Sequence, residues 1–175
     1  MPHSIHVSRL RRRRGVPLVV AALLLVLATA APGAEQFQGR VVGVSDGDTI
    51  IVLHDRHPEK IRLHGIDAPE KGQPFGERAK QFASHLTFDR EVTVRVKGRD
   101  RYRRTVAEVV LPDGRSLNQE LVRAGYAWWY RRYPNDSVLE DLELQARARR
   151  LGLWAGSDPV PPWEWRRLDR SLARQ

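Results

Sequence analysis

The sequence predicts an α+β domain, mainly β, in which five short strands close into a small barrel and about three helices pack around it. Three observations carry this. Five runs alternate apolar and polar residues between turn signals, one segment of helical spacing follows the third run, and two more follow the fifth. A chain of 175 residues, 41% hydrophobic and 29% charged, suits one domain with extensions.

Residues 1–34 read as a signal peptide. RLRRRRG is a positive segment, VPLVVAALLLVLATA an apolar one, and the alanines between positions 30 and 34 offer a cleavage site. The apolar run is shorter than the roughly 20 residues a spanning helix needs, so an exported protein, periplasmic or secreted, is expected. An uncleaved leader would be its one membrane contact. The 30 Lys and Arg exceed the 21 Asp and Glu by nine, and five of those positive charges precede the first acid, Glu35. The remaining excess of four is compatible with a polyanionic partner without requiring one. The absence of cysteine excludes disulfides, thiolate metal sites and thiol nucleophiles, so any metal is held by oxygen or imidazole.

Residues 35–165 form the predicted domain, with 166–175 as a tail. Phe37 to Leu53 reads as strand, turn and strand, with Asp46 and Gly47 as the turn, glycine there supplying a positive φ. EKIRLHGI is the third strand, and its alternation turns Arg62 away from the core. Gly65 and Pro69 break that strand. PFGERAKQFASHLTF then places Phe75, Ala79, Phe82, Ala83 and Leu86 at helical spacing. EVTVRVKG and RTVAEVVL are the fourth and fifth strands. SLNQELVRAGYAWW reads as a helix capped by Ser116 and ended by Gly125, and NDSVLEDLELQARARRLGLW as another ended by Gly152. DPVPPWEWRR, rich in proline, reads as irregular structure. This order fits the five-stranded OB barrel, whose face and loops often bind nucleic acid.

Asp48, Arg62, Asp67 and Glu70 stand at strand ends and in GIDAPE. Each alone also fits a structural role: a cap, a surface acid, a surface ion pair. Together, three carboxylates and an arginine converging from separate strands call for a cation or an anionic substrate among them. RDRYRRT adds Arg101, Tyr102, Arg103 and Arg104, either a solvated loop or a phosphate-binding one with a stacking aromatic. His54, His57, His64 and His85 show no metal-ligand spacing and read as surface or packing residues. Tyr126, Trp128, Trp129, Tyr130 and Tyr133 read as core and groove wall, with Tyr130 or Tyr133 open to a base.

DGDT, IRLHGIDAPE, DRYRRT, NQELVRAGYAW and ARARRLGLW, in that order over Gln38 to Trp165, resemble the staphylococcal nuclease (thermonuclease) family. The resemblance implies an OB-fold barrel and a calcium-dependent phosphodiesterase acting on DNA and RNA, without a stable protein partner and monomeric. It further implies that Asp48, Asp67 and the backbone carbonyl of Ala68 hold calcium, and that Glu70 activates or positions the attacking water. Arg62 and Arg104 would bind the phosphate and the charge developing on it, and Tyr102 would lie against the nucleotide. Arg101 and Arg103 complete the expected substrate-binding set. One position departs: the family commonly has glycine where this chain has Arg103. The alternative is an OB module that binds nucleic acid with little or no cleavage.

Overall fold

A computed structural model describes residues 35–133 and 136–172. The expected signal peptide lies outside the described residues. Among those described, no helix is long and apolar enough to cross a membrane.

The alternating runs fold as predicted. β1 (Gln36–Asp46), β2 (Thr49–His54) and β3 (His57–Leu63) form an antiparallel meander, followed by the two-residue β4 (Ile66–Asp67) and α1 (Gly76–Thr87). β5 (Glu91–Arg99) and β6 (Thr105–Val110) complete a closed barrel in the order β1-β2-β3-β6-β5. β3 and β6 run parallel, and the other barrel pairs are antiparallel. Every second residue points inward, so Val41, Ile50, Val52, Ile61, Leu63, Val94, Ala107 and Val109 fill the barrel without solvent contact. α2 (Leu117–Arg123), β7 (Trp128–Trp129) and α3 (Ser137–Ala148) follow, with β7 pairing antiparallel to β4. A 3-10 turn (Gly152–Ala155) leads to α4 (Pro162–Leu172).

Four α-helices therefore stand where about three were expected, and α4 is the correction. Its signals were the prolines themselves: Pro162 is the first helical residue, where a missing N–H costs nothing, and Glu164 and Arg170 match the helix dipole. The expected boundary between Trp165 and Arg166 consequently falls inside a helix. Two end signals also differ. Ser116 stands at the N-cap of α2, but its buried hydroxyl makes no hydrogen bond. Arg150, at φ 53°, ends α3 with its neighbour's N–H (Leu151) on the Ala146 carbonyl, and Gly152 opens the turn after it.

Two features of the fold position the strand ends that carry acids. Gly47 is not in the left-handed region, contrary to the turn expectation. It is needed for close approach instead: a Cβ there would lie 2.7 Å from Ala79 Cβ and 2.8 Å from Ala68 Cβ. The β1–β2 turn is thus pressed between α1 and the segment after β4. Gly76 does the same for the next loop, since a Cβ would lie 2.0 Å from the Glu70 carbonyl oxygen. Neither alanine contact can swing aside, so Gly47→Ala should destabilise the fold by about 1–3 kcal/mol. Urea denaturation checks this, and a neutral substitution would show that the turn does not need the contact.

Candidate active site

The turn that Gly47 presses inward delivers Asp48 to the end of the barrel. Asp46 accepts the Asp48 N–H at 3.1 Å, closing the turn locally, while the Asp48 carboxylate leaves it. Asp48 Oδ2 accepts the Ala68 N–H at 2.6 Å, and Oδ1 lies against Nη1 of Arg62. Arg62 reaches across from β3, directly opposite Thr49, and also donates from Nη2 to Asp67 Oδ1 at 2.8 Å and to the Ile66 carbonyl at 3.3 Å. Asp67 itself is fixed by the short β4–β7 ladder, opposite Trp128. Burial pulls the Arg62 guanidinium below its ordinary range, opposed by Asp67 and Asp46. An arginine so placed stays charged. One guanidinium therefore joins two buried carboxylates, one from the β1–β2 turn and one from β4.

On the other side of the opening, Asp100 organises the loop between β5 and β6. Its Oδ1 accepts the N–H groups of Tyr102 and Arg104, each at 2.9 Å, and its Oδ2 accepts Arg104 Nε at 2.7 Å. Burial works against the Asp100 charge, but these bonds and the Arg104 charge outweigh it and hold the carboxyl below the usual range. Arg104 uses only Nε here, which leaves its Nη groups for a ligand. Tyr102 is exposed, with the Arg101 and Arg104 guanidiniums 4.8 and 5.5 Å from its ring centre. Arg103 has φ 64°, the conformation a glycine would take without strain, and it is not among the residues lining the groove. The structure thus brings Arg101, Tyr102 and Arg104 to the site and leaves Arg103 outside its walls.

Glu70 follows β4 on a loop closed by mutual bonds with Gln73, and Gln73 Nε2 donates to the Val160 carbonyl at 2.6 Å, tying this loop to the start of α4. From α4 comes the residue that sequence reasoning missed. Arg166 donates to Asp67 Oδ2 at 2.7 Å, Asp67 Oδ1 at 3.3 Å and Glu70 Oε1 at 2.6 Å. Its pKa is lowered by burial, yet the bonds to both acids raise it overall above the ordinary value. Helix assignment of PPWEWRR would have been the signal, because it puts Arg166 one turn after the proline start.

These groups line a groove of about 660 Å³, which Tyr130 and Tyr133 wall on one side. Tyr130 packs on Trp163 of α4, and Tyr133 on His64. Burial and the nearby Lys97 lower the His64 pKa, so it is a neutral packing residue. His54 likewise stacks on Phe37. Trp128 and Trp129 are buried, as expected of core.

The oxygen-only donors at this end of the barrel fit a hard divalent cation. Asp67 and Glu70 already share one positive group, the Arg166 guanidinium, so their carboxylates converge on a place for positive charge. Among the described residues no three acidic or imidazole side chains form a complete metal cage, so carbonyl and water oxygens would make up the coordination.

A small barrel with buried carboxylates, an arginine fork and an exposed aromatic around one groove suits an anionic ligand such as a phosphate ester. The family model described as staphylococcal nuclease homologue matches residues 60–156. Protein ParB of Escherichia coli is 43% identical over 168 residues, covering 90% of this chain and 95% of that protein. A protein named micrococcal nuclease in Shigella flexneri is 42% identical over 164 residues, covering 88% and 94%. An uncharacterized endonuclease of Escherichia coli O157:H7 is 44% identical over 154 residues, covering 88% and 97%. The chain belongs to the staphylococcal nuclease family and is a nuclease of that class.

The positive φ at position 103 generates a stability test. Left-handed backbone costs an L-residue about 1 kcal/mol that glycine does not incur. Arg103→Gly should therefore stabilise the fold by about 1 kcal/mol, measured by chemical denaturation, and a loss of stability would show that the Arg103 side chain makes compensating contacts.

Proposed function

We propose that this nuclease is a calcium-dependent endonuclease hydrolysing phosphodiester bonds of DNA or RNA, with Glu70, Arg62 and Arg104 as its catalytic residues. The observation that carries the proposal is the convergence of Asp48, Asp67 and Glu70 with Arg62 and Arg104 on one groove. A module that only binds nucleic acid would need the arginines, but not a solvent-accessible carboxylate aimed into the same space.

Asp48, Asp67 and the Ala68 carbonyl would hold the calcium ion, whose positive charge, when bound, stabilises the phosphate under attack. Arg104 presents its free Nη pair as a fork for two nonbridging oxygens, held in place by Asp100. Arg62, on its rigid strand, adds a second fixed positive charge that costs no reorganisation as the phosphate gains charge. Glu70 is the most exposed of the three acids, at 41%, and can reach a water in the groove. It takes the water's proton as the oxygen bonds to phosphorus and one ester P–O bond breaks, the departing oxygen leaving as an alkoxide that takes a proton from solvent. Tyr102, flanked by Arg101, offers a ring face to a base or sugar, and Arg103, at the loop tip, adds screened attraction to the backbone. The leader supports a periplasmic or secreted location.

Cleavage should require roughly 0.1 to 1 mM calcium, because few protein oxygens coordinate it. Incubating the purified protein with single-stranded DNA or RNA, with calcium and then with chelator, tests this directly. Full activity in chelator would remove the metal from the mechanism.

Glu70→Gln should lower turnover by about two to four orders of magnitude with folding intact, whereas Asp46→Asn, which touches only the turn, should cost far less. Arg104→Ala should lose about a hundredfold or more, the usual effect of removing a preorganised donor. Arg103→Ala should instead weaken substrate binding at low salt. Steady-state kinetics on the four variants would reject the assignment if Arg103→Ala carried the larger loss in turnover.

A further inference from the structure

We propose that Arg166 is a resident competitor for the cation of this site, holding Asp67 and Glu70 until a divalent cation and a phosphate replace it. The proposal rests on the calcium reading given above.

Arg166 engages both oxygens of Asp67 and one oxygen of Glu70. Asp67 Oδ1 already accepts from both Arg62 and Arg166, and Oδ2 from Arg166, so most of the roughly four lone-pair sites of this carboxylate are taken, and releasing Arg166 reopens those that a hard cation needs. Two positive groups in contact would also repel strongly in a half-buried site. Arg166 and the cation are therefore alternatives. Asp67 already has one permanent positive partner in Arg62, which also serves Asp48. Arg166 is the additional charge, and it comes from the last helix described rather than from the barrel.

The position of α4 gives the released side chain somewhere to go. Arg170, one turn further along the same helix, and Arg132 line the same groove, so an anion entering it would meet several guanidiniums. A phosphodiester in the groove would take over Arg166 as a hydrogen-bond partner and free both acids. Cation and substrate uptake then assist each other, and by linkage the assistance is reciprocal. Cation binding to the free protein is weakened by the same contact. Arg166 acts as a positioning residue, controlling when Asp67 and Glu70 are available.

Calcium alone, titrated into the full chain by calorimetry, separates this from a structural role. Arg166→Ala should bind calcium about tenfold more tightly than the unsubstituted protein, and calcium should raise its Tm further. Arg166→Gln keeps the bulk and a donor but not the charge; it should tighten binding similarly and covers the case that the alanine variant fails to fold. Arg167→Ala, which removes an exposed charge from the same helix outside the groove, should change the affinity less than twofold. Unchanged or weaker calcium binding by both Arg166 variants overturns the proposal, and so does equal tightening by Arg167→Ala, which would reduce the effect to a general field of the helix. If the unsubstituted protein binds calcium and needs it for cleavage, that failure touches Arg166 alone. If it neither binds calcium nor needs it, the calcium reading and the competitor fall together.

Discussion

The double contact of Arg62 with Asp48 and Asp67 is the interaction on which the site's architecture depends. It joins the β1–β2 turn, the end of β3 and the end of β4. The Asp48 and Asp67 side chains are 8% and 2% exposed, so neither charge can be left alone without a large desolvation cost. Removing one member of such a set typically costs about 3–5 kcal/mol, mostly because the partners stay buried and unpaired. The chain tolerates this arrangement only because the backbone fixes the acids independently. Asp48 is held by the turn that Gly47 allows to pack against Ala68 and Ala79, and its second oxygen takes the Ala68 N–H.

Behind Asp67 stands a second buried charge. Glu143 of α3 is 2% exposed, and accepts the Trp129 N–H at 2.7 Å as well as bonds from Arg131. This anchors β7, the partner strand of β4. Asn118 of α2 does similar work at the open end of β6, accepting the Val109 N–H and donating to the His64 and Ala107 carbonyls. The helices are thus more than a cover for the barrel. They pin the short irregular segments from which Asp67 and Tyr130 project, and so transmit core rigidity to the groove.

The barrel was legible because its strands are amphipathic with period two, and turn residues separate them. Asp48 stood out because aspartate is disfavoured at the start of a strand, Arg62, Asp67 and Glu70 because charges from separate segments called for a shared partner, and Arg104 through the resemblance carried by DRYRRT; the structure brings all five to one groove. What escaped was long-range. Nothing local to Gly47 says that Ala68 and Ala79 will press on it from 21 and 32 residues away; the Asp-Gly pair pointed to a conformational role when the constraint was steric. Proline was weighed as a breaker in PPWEWRR, although at the first helical position it is favourable. That one misreading concealed α4, and with it Arg166, whose partners lie 99 and 96 residues earlier.

Arg62 and Arg166 share the same chemistry and one partner, yet the structure makes one fixed and the other exchangeable. Arg62 has its side chain 16% exposed, on a barrel strand paired on both sides by β2 and β6, and its carboxylate partners are buried. Arg166 is 36% exposed, one of its acids is 41% exposed, and its helix is held by Trp163 packing and by the Gln73 bond to Val160. Ion pairs in water-accessible positions contribute about 0–1 kcal/mol, against several for breaking a buried set. A phosphate arriving in the groove can offset the first and not the second. Asp67 is buried and keeps Arg62 as a partner, whereas Arg166 and Glu70 are open to water, and this divides the work: Arg62 keeps the acids in place, and Arg166 is the contact an incoming ligand can displace.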